Sequence, residues 1–200
     1  MNCEAYDAIA SQWAQTRVQL SEVERQLLTR LCEDLAPGSE ILDLGCGTGK
    51  PIAEHLVNRA FRITGVDQSA QMLAIAQRLL PEQVWVLASL ETFVPTHQYS
   101  AVIAWDSLFH IPRGTHPSIF QRVRQCLPVG GKFALTVGGS ARPAFTDRMF
   151  DQTFFYDSHS PEVALTLLQR VQFEIIHTEF LNLPTSGRDK GRFAIIARAA

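Results

Sequence analysis

Cysteine is scarce in this 200-residue chain. There are four, Cys3, Cys32, Cys46 and Cys126, far apart and with no CxxC pair among them. That spacing speaks against a disulfide frame or a zinc site and for reduced thiols in the cytoplasm. Runs of Lys or Arg are also missing; 18 basic against 20 acidic residues leave a net charge of −2. A chain that grips nucleic acid by its phosphates carries a basic face, so no nucleic-acid partner is expected. No apolar run approaches the length of a membrane span, and the opening MNCEAYDAIA lacks the basic start and apolar core of a signal peptide. A cytoplasmic protein with no membrane partner is therefore expected. Internal repeats and low-complexity segments are absent, as is GxxxxGK followed by Ser or Thr, the cradle of nucleoside triphosphates.

What is there is an ordinary globular balance, 19% charged and 46% hydrophobic, at a length that suits one domain. Tyr6, Ile9, Ala10 and Trp13 share one side of a short amphipathic helix. Ser21 opens SEVE, a capping box with Glu24, ahead of an apolar stripe of Val23, Leu27, Leu31 and Leu35. Pro37-Gly38 is expected to end that helix. From Ile41 onward short apolar runs alternate with helical stretches. Strands are expected at 41–44, 62–66, 84–87, 101–105 and 132–137, with helices between them, one capped by Ser69 and one opened by Pro117. Such alternation implies parallel pairing, because each crossover needs its own helix. After a helix begun by Ser160-Pro161, the runs 173–181 and 192–199 flank PTSGRDKG and predict a final antiparallel hairpin.

The stretch ILDLGCGTGKP, Ile41 to Pro51, follows a strand and opens a helix. Glycines there let the backbone turn sharply and let a ligand approach, and the helix start beyond offers free N–H groups. Asp67 falls just past the second strand, where an acidic side chain meets the hydroxyls of a ribose. The unit reads as a nucleoside site rather than a bare turn. Its spacing is GxGxG, not the GxGxxG of dinucleotide sites, and no Tyr-x-x-x-Lys pair marks a nicotinamide oxidoreductase. That oxidoreductase and a non-catalytic nucleoside-binding module remain the competing classes.

LDLGCGTG with GVD after it resembles the first two motifs of class I S-adenosylmethionine-dependent methyltransferases. The resemblance continues through SAQML, YSAVIAWDSLFHI and LPVGGKFALTV, and so covers about Ile41 to Val137. It implies an α/β, Rossmann-like fold: a seven-stranded, mostly parallel sheet with an antiparallel last strand and helices on both faces. It divides the chain into an N-terminal helical lid, residues 1–36, and a methyltransferase domain, residues 37–200. The implied cofactor is S-adenosylmethionine, with S-adenosylhomocysteine as product. By the same resemblance Gly45, Cys46 and Gly47 line its amino-acid part, and Asp43 holds the loop or the ammonium. Asp67 takes the ribose hydroxyls, with Gln68 and Met72 beside the adenine. Trp105 belongs to the same site, and Arg17 is placed at the methionine carboxylate. Relatives often bind the adenine amino group with a carboxylate after the third strand. Here Leu87-Ala88-Ser89-Leu90-Glu91 departs from that pattern, so Ser89 and Leu90 take the place. Glu91 is read as the first residue of a helix.

Methyl transfer from a sulfonium is a direct displacement, so positioning and exclusion of water do much of the work. A base is needed only where the acceptor must lose a proton. Asp106 and His110, four apart in WDSLFH after the fourth strand, are the candidates to orient or deprotonate the acceptor. Tyr6 and Trp13 of the lid and Tyr156 and His159 of MFDQTFFYDSHS are the candidate acceptor walls. Three absences narrow the acceptor. No Asp- or Asn-Pro-Pro-aromatic motif follows the fourth strand, no Pro-Cys stands in that loop, and no acidic pair follows the fifth strand to hold magnesium. No metal is expected. A small-molecule acceptor is the expectation, with protein or RNA as the alternative; oligomeric state is not legible.

Overall fold

The computed structural model describes residues 2–186 and 190–200, so the middle of the expected PTSGRDKG turn, residues 187–189, lies outside the described residues. Two helices, α1 (Cys3–Thr16) and α2 (Glu22–Cys32), precede the sheet. Alternating units follow: β1 (Glu40–Leu44), α3 (Ile52–Val57), β2 (Arg62–Asp67), α4 (Ala70–Leu79), β3 (Val84–Leu87) and β4 (Ala101–Ala104). Then come α5 (His116–Cys126), β5 (Lys132–Gly138), a hairpin of β6 (Phe145–Met149) and β7 (Gln152–Tyr156), α6 (Pro161–Arg170), β8 (Phe173–Asn182) and β9 (Arg192–Ala199).

The main sheet has the order β3-β2-β1-β4-β5-β9-β8. β1 to β5 pair in parallel, and β9 runs antiparallel to both β5 and β8. This is the Rossmann-like sheet with one reversed strand that the motifs imply. Its central strands are buried on both faces, and so they read as unbroken apolar runs rather than alternating ones. Leu42, Val102, Phe133 and Ile195 pack with Phe120 of α5 and Leu168 of α6 on one face. Ile41, Ile103, Ala134 and Ile196 pack with Leu27, Leu28 and Leu31 of α2 on the other. The strand order reverses beside β1, whose neighbours are β2 and β4. Ligand crevices of open α/β sheets form at that point, outside the strand carboxyl ends.

The capping box forms as read: Ser21 Oγ accepts from the Glu24 N–H at 3.2 Å, and the Glu24 carboxylate accepts from the Ser21 N–H at 2.8 Å. α2 stops at Cys32, however, short of Pro37-Gly38; a tight turn from the Leu35 N–H to the Cys32 carbonyl ends it, and Gly38 turns the chain into β1. Glu91 does not start a helix. The Thr92 and Phe93 N–H groups both close on the Ser89 carbonyl, making an isolated turn. The β6–β7 hairpin is the element the sequence pattern did not give. Its two-residue connection is Phe150-Asp151, both at positive φ, where a hairpin normally carries Asn-Gly or Asp-Gly. Among the described residues no helix is long and apolar enough to cross a membrane.

Candidate active site

The loop after β1 is stitched to the end of β2. The Gly45 and Cys46 N–H groups both donate to the Val66 carbonyl, at 2.7 and 3.1 Å. Gly45 and Gly47 sit in the left-handed region, with φ of 82° and 54°. A Cβ on Gly45 would lie 2.3 Å from that of Ser107, whose hydroxyl donates to the Leu44 carbonyl at 2.7 Å. Glycine is thus required on two counts, and the loops after β1 and β4 are latched together over the crevice.

Asp67 is pinned by backbone. Its Oδ2 accepts from the Gly47 N–H and its Oδ1 from the Ser69 N–H, both at 2.9 Å. The Gln68 backbone also bonds to it, and of the roughly four lone-pair sites of a carboxylate these bonds leave room for a ligand hydroxyl. Burial pushes the Asp67 carboxyl up, and these backbone bonds pull it back. Asp43 is buried next to it, and burial together with the Asp67 charge raises its pKa to about 7. Burial also raises the Cys46 thiol well above its ordinary range, so no thiolate forms there at neutral pH.

α1 lies across this site. Asp7 accepts from the Ser69 hydroxyl at 2.6 Å and from the Gln71 N–H at 3.1 Å. Ile9 and Ala10 pack on Met72 and Phe154. α2 behaves differently within residues 1–36, since its leucines belong to the sheet core. Its cap residue Glu24 is shared with the site: it pairs with Arg17 at 2.5 Å and accepts from Trp105 Nε1 at 3.1 Å. Burial pushes the Glu24 carboxyl up, but the bonds from Arg17 and Ser21 outweigh it and leave it below its usual range.

Asp106 has φ 51° and both oxygens engaged. Thr136 Oγ1 donates to Oδ1 at 3.2 Å and Arg192 Nη1 to Oδ2 at 2.7 Å. Burial raises its pKa while the Arg192 and Arg17 charges lower it. His110 follows in a short 3-10 turn, Leu108–His110. Its Nε2 meets the Tyr6 hydroxyl at 2.8 Å, and its Nδ1 lies 3.0 Å from Asn2 Nδ2. The Asn2 amide is oriented by Phe155, giving to its carbonyl and taking from its N–H, each at 2.9 Å. The Phe155 carbonyl lies 3.3 Å from Nδ1 as well, so Asn2, Phe155 and Tyr6 together fix the plane of the ring. Burial lowers the His110 pKa to about 4, so the ring is neutral at physiological pH.

Tyr6, Trp13, Arg17, Asp43, Gly45, Cys46, Gly47, Asp67, Gln68, Met72, Leu90, Trp105, Asp106 and His110 all line one narrow crevice of about 90 Å³. Three expected residues stand apart. The Ser89 hydroxyl turns to Glu91, which itself reaches the crevice. Tyr156 lines a second cavity next door. His159 lines neither; its Nε2 donates to the Arg113 carbonyl at 3.0 Å and its ring meets that of His116. Sequence reasoning missed Asn2, Thr136, Ser107 and Arg192 and did not give Glu24 its second role. These residues act through partners 30 to 108 positions away, and only the capping box left a local trace.

Residues 41–131 match a family described as a methyltransferase domain. A trans-aconitate 2-methyltransferase of Azoarcus sp. (strain BH72) is 34% identical over 113 residues, 56% of this chain and 43% of that one. The chain spans less than half the length of the curated relatives it matches. Among solved structures, a DhpI complex with S-adenosylhomocysteine superposes with a TM-score of 0.72 at 22% identity, covering 99% of this chain and 95% of that one. An S-adenosylmethionine-dependent methyltransferase from Clostridium acetobutylicum ATCC 824 superposes at 0.75 with 16% identity, covering 98% and 99%. At such identities the superpositions establish the fold.

Proposed function

We propose that this class I S-adenosylmethionine-dependent methyltransferase domain moves a methyl group to a small-molecule acceptor by direct displacement, leaving S-adenosylhomocysteine. The observation that carries the reading is Asp67: a half-buried carboxylate, held by backbone N–H groups, beside a left-handed glycine loop. When bound, the sulfonium supplies an electrophilic methyl group. Asp67 takes the ribose hydroxyls, Gln68, Met72 and Leu90 flank the adenine, and the Gly45–Gly47 backbone and Asp43 face the amino-acid end. Arg17 and Trp105, fixed through Glu24, close that end. In the curated relative named above the acceptor is trans-aconitate, a small molecule, and that supports the acceptor class here.

Asp106 and His110 serve this reaction by positioning. Asp106 is tied to Arg192, and His110 is held between Tyr6, Asn2 and Phe155. Displacement needs no base where the acceptor atom carries no proton. α1 acts as the lid. The crevice of about 90 Å³ beneath it is far smaller than the ~300–1,000 Å³ of ordinary ligand pockets, so entry requires α1 to lift.

Calorimetric titration with S-adenosylmethionine and S-adenosylhomocysteine, with NADH as control, tests the reading. Both should bind, and Asp67→Ala should weaken both. Binding of NADH in their place would transfer the site to the oxidoreductases.

A further inference from the structure

Arg17 and Lys50 both line the crevice, and they reach it from different elements. Arg17 caps the end of α1, its N–H closing on the Trp13 carbonyl at 2.9 Å. That end faces the glycine loop, since a Cβ on Gly47 would lie 3.7 Å from Trp13 Nε1. Lys50 belongs to the loop itself. It stands between Gly49 and α3, and Pro51 and Ile52 line the crevice beside it. Either cation could in principle meet an anionic group at the glycine loop, and their partners decide between them.

Arg17 is engaged. Its Nη2 donates to Glu24 Oε1 at 2.5 Å, and its Nη1 to Glu24 Oε2 at 3.4 Å and to the Gln19 carbonyl at 3.2 Å. This is the two-pronged grip of a guanidinium on a carboxylate, and the Glu24 side chain is only 6% exposed. Parting such a pair would strand a buried charge, so it holds. Burial raises the Asp106 carboxyl, and the Arg192 and Arg17 charges lower it, so Arg17 already answers a second acid. A further carboxylate placed at Arg17 would face both.

Lys50 is open. Its Nζ lies 3.6 Å from the Glu54 carboxylate, one helical turn on, and each side chain is 33% exposed. That distance is too long for a hydrogen bond, and exposed pairs of this spacing hold weakly. The ammonium therefore keeps its N–H donors for a ligand, on a flexible stem that can follow one. Moving it leaves the backbone intact, because the Gly49 N–H closes on the Cys46 carbonyl at 3.0 Å and the Glu54 N–H on the Gly49 carbonyl at 2.9 Å.

We propose that Lys50, rather than Arg17, takes the carboxylate at the cofactor's amino-acid end, and that Arg17 is a strut joining the end of α1 to Trp105 through Glu24. The assignment rests on the methyltransferase reading above and names a binding residue of that site. Calorimetric titration of the full chain with S-adenosylmethionine and with its decarboxylated form tests it. The second probe keeps the nucleoside, the sulfonium and the ammonium and lacks only the carboxylate. Lys50→Gln should weaken S-adenosylmethionine by about tenfold and leave the decarboxylated form unchanged. Lys50→Arg, which keeps the charge, should hold S-adenosylmethionine to within about threefold of the parent. Arg17→Gln should weaken both probes by the same factor, as loss of a strut does. Equal losses of the two probes in Lys50→Gln, or no loss of S-adenosylmethionine there, would overturn the assignment. A loss confined to S-adenosylmethionine in Arg17→Gln would overturn it too and return the carboxylate to Arg17. In each of these outcomes the parent still binds S-adenosylmethionine and the methyltransferase reading stands. A parent chain that bound neither probe would remove both.

Discussion

The two halves of the site are built in different ways. The half proposed to hold the cofactor comes from one continuous unit, β1, its glycine loop and the end of β2, and backbone does most of the holding: the Val66 carbonyl, the Gly47 N–H and the Ser69 N–H. The half proposed to take the acceptor is gathered from α1, the turn after β4, the β6–β7 hairpin and the start of β9, and side chains hold it: Asn2 on His110, Arg192 on Asp106, Arg113 on Asp157. The first half is fixed on strand ends. The second is carried by loops and a docked helix. A fold that keeps its cofactor and varies its acceptor has its fixed parts on strands and its variable parts on loops.

The deepest cut into the cofactor half is Gly45→Ala. The added Cβ meets Ser107 at 2.3 Å and the residue must hold a φ of 82°. Backbone strain alone of about 1–3 kcal/mol should lower the melting temperature, and cofactor affinity should fall by about a hundredfold. A thermal melt paired with a titration reads both. Asp67→Asn is milder. Losing a charged acceptor costs about 1.5–3 kcal/mol, so the dissociation constant should rise by roughly tenfold to a hundredfold with the melt little changed.

Acidity separates the halves again. Asp43 holds its proton up to about pH 7 in the fold, whereas the unfolded chain loses it near the ordinary carboxylate value. Between those two points the folded state binds more protons, so stability falls as pH rises through the window and is regained on acidification. Asp43→Asn should remove that slope: the variant melts above the parent at about pH 8, and the gap closes by about pH 4. A parent whose stability rises across the same window would contradict the protonated Asp43.

On the acceptor side the effects shrink. Asp7→Ala frees α1 from Ser69 and Gln71, so stopped-flow association with S-adenosylhomocysteine should speed up several-fold while affinity moves by less than about threefold. Tyr6→Phe removes the hydroxyl on His110 Nε2 and should leave cofactor affinity alone while lowering turnover by about threefold to tenfold. If Asp7→Ala instead abolished binding, α1 would be a wall of the cofactor half rather than a cover.

The same division explains what could be read in advance. The parallel strands and the reversed last one were legible because buried parallel strands announce themselves as apolar runs, and GCGTG with Asp67 sits within one local unit. The hairpin escaped because Phe150-Asp151 carries no glycine at a turn that needs positive φ. The end of α2 escaped because Leu35 keeps the apolar spacing and still packs half-buried on the same core after the helix has stopped. Arg192 is 86 residues from Asp106, and Asn2 is 108 from His110, pairings that no spacing rule contains. His159 fits the aromatic segment's pattern but hydrogen-bonds to Arg113 instead, a choice made by the loop's path.

The most direct test is a structure of the chain with S-adenosylhomocysteine bound. The account predicts the ribose hydroxyls on Asp67, the homocysteine end along Gly45 to Gly47, and α1 closed over both. A ligand seated elsewhere, or bound without contact to Asp67, would contradict it.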